Sequence, residues 1–137
     1  MQNRLISAPS GSAGGVCYYE HVENRIASLV IDASDAELLA RFWAVALGWQ
    51  VVNRGSYGVS IAAGHGPFEI DFRFVPDGPK AVKNRLHLDI KPVLRDQQAE
   101  LGRLLVLGAR QVDVGQGDRN WYVLADPEGN EFCLCRP

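Results

Sequence analysis

The chain has 137 residues, 47% of them hydrophobic and 22% charged, with a formal net charge of −2. That is the size and composition of one folded domain, too apolar for a disordered chain and without the basic excess that nucleic-acid binding requires. No apolar run approaches the roughly 18 residues that span a bilayer, so neither a membrane nor nucleic acid is expected as a partner. The three cysteines, Cys17, Cys133 and Cys135, are an odd number, and two of them sit in C-x-C spacing. A secreted disulfide scaffold would carry more, evenly counted cysteines, and the N-terminus lacks the apolar stretch of a secretory leader. A cytoplasmic location is expected.

Residues 1–24 read as a tail, because the stretch 7–15 is made only of Ser, Ala, Pro and Gly and offers no apolar area to offset ordering. The domain is expected over 25–137. IASLVID (26–32) is β-branched and reads as a strand. Ser34-Asp35-Ala36-Glu37 has the S-x-x-E form of a capping box, in which Ser34 and Glu37 would satisfy each other's free amides. Leu38, Leu39, Phe42, Val45 and Ala46 follow at helical spacing, with Gly48 as the stop. Strands are expected at 49–53, 57–62 and 68–75, with turns at Arg54-Gly55-Ser56 and Gly64-His65-Gly66-Pro67.

The pattern then recurs. NRLHLDI (84–90) alternates as a strand, and Asp96 can cap a helix carrying Ala99, Leu101, Leu104, Leu105 and Leu107. Gly108 ends it, and strands are expected at 109–112, 121–125 and 132–136. Leu47-Gly48 and Leu107-Gly108 hold equivalent places about sixty residues apart, which marks one β-α-β-β-β unit written twice. The modules run from about 25 to 76 and from 82 to 137. The fold expected is α+β, two such modules forming a cupped mixed sheet with helices on the convex face.

Strand alternation then assigns faces. Leu86, Leu88 and Ile90 should meet the helices, while Arg85, His87 and Asp89 look into the concavity. Phe68, Ile70, Phe72 and Phe74 should likewise pack under a helix, leaving Glu69, Asp71 and Arg73 inward. Cys133 and Cys135 look inward from the last strand, and Ser28 and Val30 from the first. Trp43 belongs to the core. Trp121 starts a strand beside the VGQGDRN loop, where it can stack on a planar ligand. The GQG of that loop is not a phosphate motif, since it lacks the Lys-Ser/Thr pair and opens no helix.

The RFWAVALGW helix end, the VKNRLHLDI strand and the YVLADPEGNEFCL ending resemble the vicinal oxygen chelate superfamily of glyoxalases, bleomycin-resistance proteins and extradiol dioxygenases. Within it, the resemblance is to the glyoxalase-like domain of the actinobacterial type. Metal-dependent members hold a divalent ion with His or Glu from four inward strand positions and use it as a Lewis acid. Those positions fall here on Ser28, near Asp71, on His87 and on Cys133. His87 is a proper ligand, but the usual set is broken, and no metal cofactor of the usual kind is expected. The alternative is a zinc, nickel or iron site made of His87, Asp71 and Cys133.

The resemblance and the residues together imply a binder of a small organic molecule, with Ser28, Glu69, Arg73, Arg85, His87, Trp121 and Cys133 on the ligand. The alternative is a lyase-, isomerase- or dioxygenase-type enzyme with His87, Asp89 and Asp71 in acid–base roles. A third reading is a dimeric accessory domain without a ligand. Against each stands a plainer account: His87 paired with Asp89 or Arg85 in a polar layer, an Asp71–Arg73 pair across the sheet, and cysteines that are simply buried. A homodimer is expected from the resemblance.

Overall fold

The structure, a computed structural model, describes residue 24, residues 26–76 and residues 80–137. The expected tail, with Cys17 and His21, lies outside the described residues apart from Asn24. The first module comprises β1 (Ser28–Ala33), α1 (Ala36–Leu47), β2 (Gln50–Gly55), β3 (Gly58–Ala62) and β4 (Glu69–Phe74). The second comprises β5 (Asp89–Ile90), α2 (Gln97–Leu107), β6 (Arg110–Gln111), β7 (Tyr122–Ala125) and β8 (Glu131–Leu134). The doubled β-α-β-β-β plan is therefore present. Each module keeps its own four-stranded mixed sheet, ordered β1-β4-β3-β2 and β5-β8-β7-β6. β1 runs parallel to β4 and β5 parallel to β8, and the remaining pairs are antiparallel. No helix among the described residues is long and apolar enough to cross a membrane.

The core lies between α1 and the two sheets. Ile61, Ile70 and Phe72 of the first sheet and Leu124, Phe132 and Leu134 of the second pack with Leu39, Phe42 and Trp43 of α1. The rings of Phe42, Trp43 and Phe132 meet edge to face at centroid distances of 4.9–6.2 Å. α1 thus contributes to the core of both modules, together with Leu101 and Leu104 of α2.

Both ends of α1 are also held by the second module. A helix N-terminus leaves N–H groups without partners and carries partial positive charge; the C-terminus is the reverse. The Glu128 carboxylate accepts from the backbone N–H groups of Ser34 and Asp35 at 3.0 and 2.5 Å. At the other end, Arg103 of α2 donates to the carbonyls of Val45 and Ala46 at 3.2 and 2.9 Å. Arg103 is itself fixed by the buried Glu100, 2.6 Å away, which also takes Arg95 at 2.9 Å.

The expected capping box is corrected in one respect. The N-cap is Asp35, whose side chain accepts from Leu38 N–H, while Glu37 pairs with Arg54 at 2.9 Å. The Ser34 amide instead donates to Glu128 of the second module. Asp96, Gly48 and Gly108 cap as expected. Gly58 shows why a residue without Cβ is needed at the β2–β3 hairpin: at φ 148° a Cβ would collide with the Phe72 carbonyl oxygen.

Three residues expected under the helices are not there. Leu86 is 84% exposed, Phe74 56% and Phe68 38%. Only Asp89 and Ile90 of the expected strand 84–90 are ladder-paired, so Leu86 lies ahead of the sheet where no helix covers it. Phe74 stands beyond the last β3–β4 pair, Gly58 with Arg73. Phe68 precedes β4 and rests edge-on against Trp49 at 6.4 Å.

Candidate functional site

Alternation on β5 and β8 separates two sets of side chains. Leu88, Ile90, Phe132 and Leu134 face the core, and alternation turns Asp89 and Cys133 to the opposite face of the β5–β8 pair. Register brings Asp89 directly beside Cys133. His87 Nε2 lies 3.2 Å from Asp89 Oδ1. His87, Asp89 and Cys133 each offer a ligand atom, and these atoms all lie within 4.8 Å of one another. Burial pushes the Cys133 thiol up to about 11, helped by the charge of Asp89 and a hydrogen bond to its carboxylate; Cys135 is raised from the same causes of burial and Asp89. Both are therefore neutral thiols at ordinary pH.

A hollow of about 460 Å³ opens where the modules meet, between the outer edge of β1 and the segment leading into β5. Its apolar wall is Leu29, Ile31, Trp43, Leu86, Leu88 and Phe132. Polar groups line the rest: Asp32, Lys80, Asn84, His87 and Glu131. Lys80 Nζ donates to both oxygens of Glu131 at 2.9 Å and to the Val82 carbonyl at 2.6 Å, and Asn84 N–H donates to Glu131 at 2.9 Å. This carboxylate staples the inter-module linker to β8. Burial works to raise Glu131, but the Asn84 amide and Lys80 hold its carboxyl below the usual carboxylate range; Glu100 is held low by Arg103 against burial, with help from Arg95.

A lowered carboxyl pKa stabilises the fold above the unfolded value of 4.5 and ceases to do so as pH falls through the folded value. Stability measured by urea denaturation should therefore fall as pH drops below 4.5, and Glu131→Gln should flatten part of that slope. An unchanged slope in the variant would show that the Lys80 staple adds nothing.

The expected site residues divide between the sheets. In the first sheet, Ser28 sits opposite Glu69, Val30 opposite Asp71 and Asp32 opposite Arg73. All share the face turned away from Leu29, Ile31, Ile70 and Phe72 of the core. Of these, Val30 and Asp32 reach the hollow, whereas Ser28, Glu69, Asp71 and Arg73 lie off its wall. Arg85 is exposed, ahead of β5. Trp121 is 36% exposed, with the Arg119 guanidinium 5.7 Å from its ring centroid. Lys80 and Glu131 were not anticipated. Glu131 carried a signal nonetheless, standing two residues before Cys133 and so on its face.

The superfamily's metal constellation does not fit these side chains. Ser28 supplies only a hydroxyl, and Asp71 lies on the other sheet. Among the described residues the close group is His87, Asp89 and Cys133, a donor set drawn from one module.

Comparison with known proteins agrees with the architecture. The family model described as a glyoxalase-like domain matches residues 28–135. None of the curated proteins matches the sequence. Among solved structures, the fosfomycin resistance protein FosX from Mesorhizobium loti superposes with a TM-score of 0.61 at 14% identity, covering 84% of this chain and 92% of its own. TnmS3, an antibiotic binding protein from a Streptomyces species, gives 0.55 at 19% identity, covering 85% and 99%. A glyoxalase/bleomycin resistance protein/dioxygenase family enzyme from Burkholderia phytofirmans gives 0.53 at 19% identity, covering 79% and 94%. At these identities the likeness is one of fold.

Proposed function

The chain belongs to the glyoxalase-like domain family, and from that premise we propose that it binds a small organic molecule in the hollow between its modules. The hollow itself carries the reading. Its volume of about 460 Å³ falls among ligand pockets of roughly 300–1,000 Å³, which are mostly apolar with a few fixed polar groups. Leu29, Ile31, Leu86 and Leu88 would take the apolar body of the ligand. His87 would meet a polar substituent, offering one donor or one acceptor according to tautomer. The antibiotic-binding and resistance proteins that share the fold support a binding role.

A second reading, an enzyme, is favoured by the His87–Asp89 pair. A carboxylate 3.2 Å from an imidazole orients the ring for acid–base work. The two readings part on whether the bound molecule leaves unchanged, which mass spectrometry of the ligand after incubation decides. The protein is taken as a homodimer, so light scattering should give about twice the 15.0 kDa of one chain.

The test is a thermal-shift screen of small organic molecules. A ligand at a hundred times its Kd adds about 2.7 kcal/mol to stability by mass action. Val30 lines the hollow yet is 44% exposed, so Val30→Arg obstructs the space without entering the core. Hits should stabilise the wild type, and the variant should lose at least tenfold in affinity. Hits that stabilise both proteins equally would remove the hollow from the account.

A further inference from the structure

Resting on the binding role proposed for the hollow, we infer that its ligand is a short linear peptide with a free amino terminus, held as an added strand on the outer edge of β1. Leu29, Val30, Ile31 and Asp32 all border the hollow, as do Leu86, His87 and Leu88. A sheet face presents only alternate side chains of a strand, so consecutive residues meet one space where the strand is seen from its edge. β1 is the last strand of the first sheet, and β5 is the last of the second. The hollow is a slot with the edge of β1 on one side and the segment entering β5 on the other.

Hydrogen-bond direction points the same way. The Ala33 carbonyl accepts from the N–H of Val75, just past β4, at 2.9 Å, which continues the β1–β4 ladder. Main-chain groups of successive strand residues point to opposite sides. Leu29, Ile31 and Ala33 are therefore spent on β4, and Val30 and Asp32 turn their N–H and C=O groups outward into the slot. Such an edge is a template for another extended chain. Strand addition takes its affinity from main-chain bonds and its specificity from alternate side chains. Leu29 to Asp32 present about 10 Å of edge, enough for about three to four peptide residues. Charge fits an amino end. The lining carries Asp32, Asp126, Glu128 and Glu131 against one lysine, Lys80. Glu131 is paired with Lys80, Glu128 with the start of α1, and Asp126 with Trp43 and Asn130; Asp32 enters none of these bonds. A peptide antiparallel to β1 brings its ammonium group beside Asp32, near the C-terminal end of the strand.

The experiment is affinity-selection mass spectrometry of the full chain with a pool of tetrapeptides bearing free amino termini, followed by calorimetric titration of each retained peptide. Retained peptides should bind one per chain. Methylating the interior peptide nitrogens one at a time should weaken binding at least tenfold at one or more of them. Acetylating the amino terminus should weaken it at least tenfold, and so should Asp32→Asn. Val30→Pro removes the outward N–H while leaving the bonds to β4, since proline is tolerated on an edge strand, and should also cost at least tenfold. Circular dichroism melts report whether each variant is folded, and the N-methylated peptides carry the test should Val30→Pro fail to fold. Retained peptides that tolerate every N-methylation overturn the added strand, and binding indifferent to acetylation or to Asp32→Asn overturns the placing of the amino end. Small organic ligands that bind and are excluded by Val30→Arg, with no tetrapeptide retained, overturn the peptide and leave the binding role of the hollow standing; if neither class binds, both fall.

Discussion

Asp126→Ala is expected to lower folding stability by about 3–5 kcal/mol, since one buried donor and three partly buried ones lose their acceptor at once and each orphaned buried group costs about 1–3 kcal/mol. Asp126 is fully buried. Its oxygens accept from Trp43 Nε1 at 3.0 Å, from the Glu128 and Asn130 amides at 3.0 and 2.9 Å, and from Asn130 Nδ2 at 3.0 and 3.1 Å. The carboxyl group therefore both shapes the Asp126-Pro127-Glu128-Gly129 turn and anchors α1 across the module boundary. Asp126→Asn keeps one carbonyl acceptor and should lose less. Urea denaturation midpoints for the wild type and the two variants decide the matter. A loss below about 1 kcal/mol in Asp126→Ala, the low end for an orphaned group, would mean that Trp43 finds another acceptor or that the turn does not hold the helix.

The second large effect is in thiol reactivity. Moving the Cys133 thiol from 9.0 to about 11 leaves about one hundredth of the ordinary thiolate at pH 8, and alkylation proceeds through the thiolate. Site-resolved mass spectrometry of the reduced protein should show Cys133 reacting with iodoacetamide at least roughly tenfold more slowly than a model thiol, the smaller thiolate fraction being partly offset by the greater nucleophilicity of a more basic thiolate. Asp89→Ala should recover part of that rate by removing the neighbouring charge. The same shift bears on stability. A thiol whose folded pKa is raised contributes fully below the unfolded value of 9.0, and the contribution is lost as pH rises toward 11. Rapid alkylation at pH 8 would place the sulfur in solvent and contradict the packing of β8 against β5.

The doubled module and the two helix stops were legible in the sequence because they follow from local period and turn chemistry. What escaped depends on neighbours distant in the chain. Alternation placed Leu86 on the helix side of its strand, but burial requires something on that side, and the β5–β8 ladder begins only at Asp89. The cap on α1 is Asp35, and Glu128, more than ninety residues away, takes the amides of Ser34 and Asp35. Parity alone offered Asp71 as the carboxylate companion of His87 and Cys133. Only register, Asp89 against Cys133 in one sheet and Asp71 against Val30 in the other, separates them. Lys80 was silent because a single lysine in a linker carries no periodicity.

The most direct measurement is a crystal structure of the protein with the best ligand from the screen. Ligand density is expected between Val30, Trp43 and His87, with a polar group of the ligand within hydrogen-bond reach of the imidazole. Density seated elsewhere, with this space filled by the protein's own side chains, would contradict a binding role for the hollow.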